Sequence, residues 1–243
     1  MRTVAIVQAR MGSTRLPGKV LQDIGGRTML ARVVEQASRA KLLDAVVVAT
    51  TTGPADEAIV EECRSLRVPA FRGSEQDVLD RYHDAAHAHD ADPVVRITSD
   101  CPLLDPDIVD EVISLFRREG PDYASNVTAR TFPQGLDVEV FSRRALDRAW
   151  EDARQPYERV HVTPFIYQHG DRFRLATLKA DRDYSGYRWT VDTPEDLTFV
   201  RNVYDRLGGH GRFGWRDVLS LLEREPRLTD INRGVRQKSL EEG

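Results

Sequence analysis

Through the first half of the chain, apolar runs too short for helices alternate with stretches whose apolar residues recur at helical spacing, and few folds accommodate that alternation. Val4 to Gln8, Ala45 to Ala49, Pro69 to Phe71 and Val94 to Thr98 read as strands. Between and after them, helices are expected with inward faces built from Met29, Leu30, Val33, Val34 and Ala37; from Ala58, Ile59, Cys63 and Leu66; from Val78, Leu79, Tyr82 and Ala86; and from Ile108, Val109, Val112, Ile113 and Phe116. This is the pattern of an α/β sandwich, a mainly parallel sheet covered by helices. Such sheets bind ligands beyond the carboxyl ends of their strands, so the loops after Gln8, Ala49 and Thr98 should share one crevice.

From Asp122 the rhythm changes. "DYASN", "GLDVEVF" and "RFRLATLK" read as strand-like pieces around helices at Ser142 to Ala153 and Glu158 to His169, which fits a mixed α+β insertion over about 122–186. Alternation returns at "YRWTV", Tyr187 to Val191, as a further strand, followed by a helix from Thr193 or Pro194 with Leu197, Val200, Val203 and Tyr204 on its apolar side. One domain over residues 1–207 is expected. Gly208, Gly209 and Gly211 separate it from a C-terminal part, 208–243, with a short helix around Trp215 and Leu222 and a charged tail expected to fray.

The loop after the first strand, "ARMGSTRLPGK", collects Arg10, Arg15 and Lys19 in a segment too rich in glycine and proline for helix. Glycine lets backbone N–H groups approach phosphate oxygens, and the cations neutralise them. It is not a Walker loop, because residues 13–17 lie between Gly12 and Gly18 and Val20 stands where a magnesium-binding hydroxyl is needed. The dinucleotide glycine pattern is absent as well. Its position at a strand end favours phosphate binding over a solvated surface loop. With a net charge of -4, the cationic character is local and general nucleic-acid binding is not expected. No apolar run approaches a membrane span of about 18 residues, and only Cys63 and Cys101 are present, so a reducing, cytoplasmic setting is expected.

Two acidic positions stand apart from helix starts. In "RITSDCPLLDPD", Asp105 and Pro106 form an N-cap and first helical residue, whereas Asp100 emerges at the strand end without that role. In "WTVDTPEDL", Thr193, Pro194, Glu195 and Asp196 announce a helix, and Asp192 lies just outside the cap. Asp100 and Asp192 together suit one magnesium ion held against a polyphosphate. A glycosyltransferase would instead use Asp-x-Asp, but this strand end carries Ser99-Asp100-Cys101, and Asp90-Ala91-Asp92 precedes the strand. A non-catalytic nucleotide-binding regulator is the other reading, which the carboxylate pair disfavours.

In "PQGLDVEVF", strand alternation would put Asp137 and Glu139 on one face and Leu136, Val138 and Val140 on the other. With Arg130, Gln134 and His161 these groups suit an anionic, polyhydroxylated acceptor. His83 and His87, four apart on one helix, have zinc-compatible spacing but no evident third ligand in the sequence, and are read as a solvated face. Cys63 is expected in the core, and Cys101 lacks an activating base.

The segments "IVQARMGSTRLPGKVL", "FRGSEQDVLDRY", "RITSDCPL", "GLDVEVF", "ERVHVTPFI" and "RWTVDTPEDL", in this order, resemble the cytidylyltransferase family typified by the spore-coat polysaccharide biosynthesis protein F. That family is similar to the acylneuraminate and 3-deoxy-manno-octulosonate cytidylyltransferases. The resemblance implies a GT-A-like, Rossmann-related sheet and transfer of CMP from CTP to a sugar or sugar-like acid in surface polysaccharide or related biosynthesis. It implies that Ala9, Arg10, Gly12, Ser13, Arg15 and Lys19 take the base and phosphates, with Arg72 and Ser74 bordering the nucleoside pocket, and that Asp100 and Asp192 coordinate Mg2+. Arg10, Lys19 and Asp100 would then be catalytic. The partners implied are CTP and an anionic small-molecule acceptor, with neither nucleic acid nor membrane, and a homodimer is compatible with such a chain. Val20 follows the loop lysine where the sugar-acid synthetases usually have Asn, and their sugar-binding motifs are not recognisable.

Overall fold

A computed structural model of the protein describes residues 1–209, 211–238 and 240. Strands β1 (Val4–Gln8), β2 (Ala45–Thr51), β3 (Ala70–Gly73), β4 (Val94–Thr98), β5 (Tyr123–Ser125), β6 (Glu139–Phe141) and β7 (Leu175–Thr177) form one sheet. Its order is β3-β2-β1-β4-β6-β5-β7. The first four run parallel, with Ile6 opposite Val47 on one side and Arg96 on the other. β6 is antiparallel to both β4 and β5, and β7 is parallel to β5. The expected parallel core with a mixed insertion is thus what forms.

Helices α1 (Met29–Ala37), α2 (Glu57–Leu66), α3 (Val78–Ala88), α4 (Pro106–Glu119), α5 (Arg143–Asp152), α6 (Pro156–His161), α7 (Pro164–Gln168), α8 (Pro194–Arg206) and α9 (Trp215–Arg224) cover the sheet. Pleat alternation divides its strand residues between two cores. Ala5, Val7, Val46, Val48, Val95 and Ile97 pack under α1, α2, α4, α8 and α9. Val4, Ile6, Val47, Ala49 and Val94 pack under α3, α5 and the α6–α7 region. Burial on both faces explains why the central strands are almost continuously apolar.

The caps foreseen at α4 and α8 are present. Asp105 Oδ1 accepts the N–H groups of Asp107 and Ile108, and Thr193 Oγ1 accepts that of Asp196. The single helix expected over Glu158 to His169 is instead two, because Val162 between them adopts φ 74 and ψ -56. The Thr163 N–H donates to the His161 carbonyl at 2.9 Å, closing a γ-turn of the rarer hand, and Pro164 then starts α7.

"YRWTV" is not the strand its alternation suggests. It runs as irregular backbone joined to the insertion by one bridge, Gln134 to Arg188. Gln134 N–H donates to the Tyr187 carbonyl and Trp189 N–H to the Gln134 carbonyl. Gly135 permits this approach: its φ is +107, and a Cβ there would sit 2.6 Å from Thr190 N and 2.7 Å from Trp189 C. Gly135→Ala should therefore destabilise the protein by about 2 kcal/mol or more, measured by urea unfolding. An unchanged midpoint would contradict this packing.

The tail expected to fray is docked. Leu228 and Asn232 are buried, and Asn232 Nδ2 donates to the Arg188 carbonyl at 3.0 Å and to Asp196 Oδ1 at 2.9 Å. Ser239 and residues 241–243 of that tail lie outside the described residues. Among the described residues no helix is long and apolar enough to cross a membrane.

Candidate active site

Backbone bonds hold the three strand-end segments side by side. Ala9 N–H donates to the Ala49 carbonyl and Ser99 N–H to the Gln8 carbonyl, both at 3.1 Å. Buried Asp56 anchors the cationic loop by accepting Met11 N–H at 2.7 Å, while its second oxygen takes the Thr51 hydroxyl at 2.5 Å. The Met11 carbonyl accepts both Ser13 N–H and Gly18 N–H, pinching the loop shut. Gly18, at φ 67, turns the chain into a short 3-10 turn that begins at Lys19.

Lys19 is the centre of the site. Its Nζ donates to Asp100 Oδ2 at 2.9 Å, to Asp192 Oδ1 at 3.0 Å and to the Val191 carbonyl at 2.8 Å. The Asp100 carbonyl in turn accepts Val191 N–H at 2.8 Å and the Thr190 hydroxyl at 3.2 Å, which is why two distant segments meet here. Arg15 lies 3.1 Å from Asp192, and Arg188 donates to the same carboxylate at 2.9 Å. Arg188 is also doubly bonded to fully buried Asp196, at 2.9 Å through Nε and again through Nη2.

Burial alone would raise the Asp100 pKa, but the Lys19 charge and hydrogen bonds from Thr98 and Lys19 outweigh it and hold the carboxyl below its ordinary range. Burial likewise works against a charged Lys19, yet Asp100 and Asp192 raise its pKa above the usual lysine value. Both carboxylates converge on one cation. That donor set, hard oxygens from two segments, fits a magnesium ion, which prefers one or two carboxylates plus substrate phosphates. Lys19 has all three ammonium protons engaged, so in this structure it bridges the carboxylates and offers no spare donor to a phosphate.

The other loop residues divide. Among the described residues Arg10 is exposed and makes no hydrogen bond or ion pair, and Gly12 is exposed beside it. The Ser13 hydroxyl faces Leu16 N–H within the loop at 3.4 Å. Arg72 is consumed locally by Thr51 O, Gly53 O and Glu57, and the Ser74 hydroxyl accepts Asp77 N–H ahead of α3. Three of the five Arg72 N–H groups are thereby engaged, and the Ser74 hydroxyl acts there as an acceptor.

Of the residues expected to meet an acceptor, Arg130 and Asp137 form a two-bond pair at 2.5 and 2.8 Å. Gln134 accepts from Arg188 at 3.4 Å. The shared strand face expected for Asp137 and Glu139 does not form, because β6 begins only at Glu139. Glu139 is 3% exposed, and its carboxylate is engaged by Arg96, by the Tyr123 hydroxyl at 2.7 Å and by the Thr163 hydroxyl at 2.6 Å. It is a buried hub among these three partners. His161, the first residue of the γ-turn, has Nε2 at 3.0 Å from the Leu240 carbonyl. Burial lowers its pKa, with Arg96 adding to this against Leu240 and Glu139, so the imidazole is neutral at physiological pH. A cavity of about 380 Å³, lined among others by Gln134, Tyr187, Trp189, Asn232 and Gln237, adjoins the carboxylates through Arg188. Among the described residues the Trp189 indole N–H is buried without a hydrogen-bond partner.

Asp56, Arg96 and Arg188 were not among the residues singled out from the sequence. Arg188 had a legible signal, since it precedes Asp192 by four residues and Asp196 by eight inside one motif. Asp56 and Arg96 act on partners far away in sequence, and no spacing reveals that.

The model of the family described as cytidylyltransferase matches residues 4–219. The chain belongs to the cytidylyltransferase family. It is accordingly a nucleotidyltransferase. The spore coat polysaccharide biosynthesis protein SpsF of Bacillus subtilis is 34% identical, over 91% of this chain and 94% of its own. A cytidylyltransferase structure from Leptospira borgpetersenii is 33% identical and superposes with a TM-score of 0.91, covering 98% of this chain and all of that one. A CMP:2-keto-3-deoxy-manno-octonic acid synthetase solved with CTP, at 20% identity and a TM-score of 0.68 over 85% of this chain and all of that one, shares the fold.

Proposed function

We propose that this cytidylyltransferase transfers CMP from CTP to an anionic, polyhydroxylated acceptor, most simply a sugar acid, in a cytoplasmic step of polysaccharide or related synthesis. The observation that carries the reading is the convergence of Asp100 and Asp192 on one cation beside the cationic loop. An acceptor oxygen attacks the α-phosphorus, the bond to the bridging oxygen breaks, and pyrophosphate leaves with the electron pair. Exposed Arg10, with Arg15, would hold the phosphates, and the backbone amides of Arg10 and Gly12 would fix their position. Magnesium held by Asp100 and Asp192 would supply charge neutralisation, and Lys19 would move from its carboxylate bridge toward phosphate once that charge is met. The chemistry rests on positioned charge, with no covalent enzyme intermediate.

On the acceptor side, Arg130 would exchange Asp137 for the acceptor's acid group, Gln134 would bind a hydroxyl, and neutral His161 would take the attacking hydroxyl's proton. Glu139 contributes by fixing Arg96 and Thr163. The strained turn at Val162, an arrangement that costs about 1–3 kcal/mol, supports a demand for one particular placement of His161.

The decisive experiment measures pyrophosphate release with four nucleoside triphosphates against a panel of sugar acids and phosphorylated alcohols, beside thermal shifts. CTP with Mg2+ should stabilise the protein more than either alone. An identical shift for all triphosphates would sink the cytosine assignment, and tight binding without turnover on any acceptor would favour a regulator. His161→Ala should lower kcat/KM for the acceptor by about 10²-fold while leaving the CTP shift unchanged. Because the His161 pKa is lowered, activity should persist as the pH falls past the ordinary histidine value of about 6.5 and fail only below it. That acid limb should be missing from His161→Ala.

A further inference from the structure

The geometry points to a second metal site, independent of the nucleotide crevice, in which His83, His87 and Asp147 take a zinc-class transition metal and clamp α3 to α5. The two histidines lie one turn apart on α3, and the third ligand that the sequence does not supply locally arrives from α5. His87 Nε2 is 2.9 Å from Asp147 Oδ1 and His83 Nε2 is 3.5 Å from the same oxygen. The three ligand atoms all lie within 4.8 Å of one another. Around a tetrahedral zinc with ligand bonds near 2.0–2.1 Å, ligand atoms are about 3.3 Å apart, so small rotamer adjustments bring all three into place.

The surroundings hold the ligands ready. His83 Nδ1, the ring nitrogen turned away from the cluster, is 3.1 Å from Asp84 Oδ1. A carboxylate on the outer nitrogen is how metal-ligating histidines are commonly oriented, because it keeps the proton there and leaves Nε2 free to coordinate. The His83 ring stacks on Trp150 at 4.4 Å between centroids and 13° between planes. The Trp150 indole N–H in turn donates to Asp80 at 2.9 Å. As a plain ion pair on a partly exposed surface, His87–Asp147 would contribute little, and it would not account for His83 converging on the same oxygen.

Two imidazoles and one carboxylate suit zinc, cobalt or nickel far better than magnesium, which selects oxygen. The cluster therefore differs in chemistry from the Asp100–Asp192 pair. Partial exposure of His87 and Asp147 leaves the remaining coordination position to water. The consequence is mechanical. The α3 N-cap, Asp77, holds Arg159 of α6, the helix that ends at His161, so a clamp on α3 and α5 stiffens the layer carrying that residue.

The test uses metal-stripped full-length protein in excess Mg2+, titrated with Zn2+ by calorimetry and with Co2+ by visible absorption. One equivalent of Zn2+ should bind, Co2+ should give the intense bands of a four-coordinate site, and Zn2+ should raise the Tm. His87→Ala and Asp147→Ala, at partly exposed positions, should each weaken binding at least tenfold and abolish the Tm rise, with pyrophosphate release in Mg2+ unchanged. His89→Ala, outside the cluster, should behave as wild type. Absence of zinc binding by the wild type would overturn the site, and so would equal binding by wild type and His87→Ala. Retention of the Co2+ spectrum by Asp147→Ala would remove the third ligand and with it the proposal.

Discussion

Asp100→Asn and Asp192→Asn should each lower pyrophosphate release by about 10²-fold or more while shifting unfolding stability by only about 1 kcal/mol. The asymmetry follows from where the carboxylates stand. Each is partly solvated, with side chains 27% and 14% exposed, and each shares Lys19 with the other, so losing one leaves the ammonium still paired. Their role in the fold is accordingly replaceable, whereas a hard cation facing a triphosphate needs both oxygens. Lys19→Ala separates two explanations of the same geometry. If Lys19 serves only as an internal counter-ion, its removal should damage stability and leave KM for CTP alone. If it moves to phosphate, KM for CTP or kcat should suffer while Mg2+ binding at the freed carboxylates tightens. Wild-type rates in both Asn variants would remove the metal from the reaction.

Legibility in this chain followed the range of the interaction. β1 and β4 were readable to the residue because burial on both faces writes an almost continuous apolar run, and the caps at Asp105 and Thr193 because a cap is a contact over three residues. "YRWTV" alternates like a strand but pairs only through Arg188, since its other bonds go largely to Gln134, the Asp100 carbonyl, Lys19 and Asn232, neighbours that no local pattern encodes. Glu139 was misplaced for a similar reason. Alternation correctly says that it faces away from Val138 and Val140, but whether that face is solvent or a second core depends on Arg96, Tyr123 and Thr163, all remote in sequence. The tail looked frayed because its composition is charged, whereas Asn232, one of the residues that dock it, does so through Asp196 and the Arg188 carbonyl. Asp100, Asp192 and the cationic loop were legible as a set because strand ends in a parallel sheet share one edge whatever the loops between them do.

Asp196→Ala should destabilise the protein by about 3–5 kcal/mol at neutral pH, the range expected when one partner of a buried ion pair is removed. Asp196 is fully buried and accepts from Arg188 twice, from Asn232, and from the backbone N–H groups of Asp192 and Thr193. Its removal therefore strips the α8 start, the tail and Arg188 of a common anchor. Burial alone would raise the Asp196 pKa, but Arg188, Asn232 and the backbone of Asp192 overcome it, and the net shift is downward. A carboxyl with a depressed folded pKa contributes stability that is fully present above its unfolded value near 3.9 and is lost as the pH falls through the lower folded value. The stability gap between wild type and Asp196→Ala should thus stay constant from neutrality down to about pH 4 and narrow only below it, as read from urea unfolding at a series of pH values. Catalysis should fail with stability even where the variant remains folded. Without Asp196, Asp192 is the carboxylate that remains to Arg188 beside the amides of Gln134 and Gln237, and Arg188 competes with Lys19, Arg15 and any metal for its oxygens, so Mg2+ should bind Asp196→Ala more weakly than wild type at a temperature where both are native. A loss of under 1 kcal/mol, or unaltered Mg2+ affinity in the folded variant, would show that Arg188 and the tail are held by something other than this carboxylate.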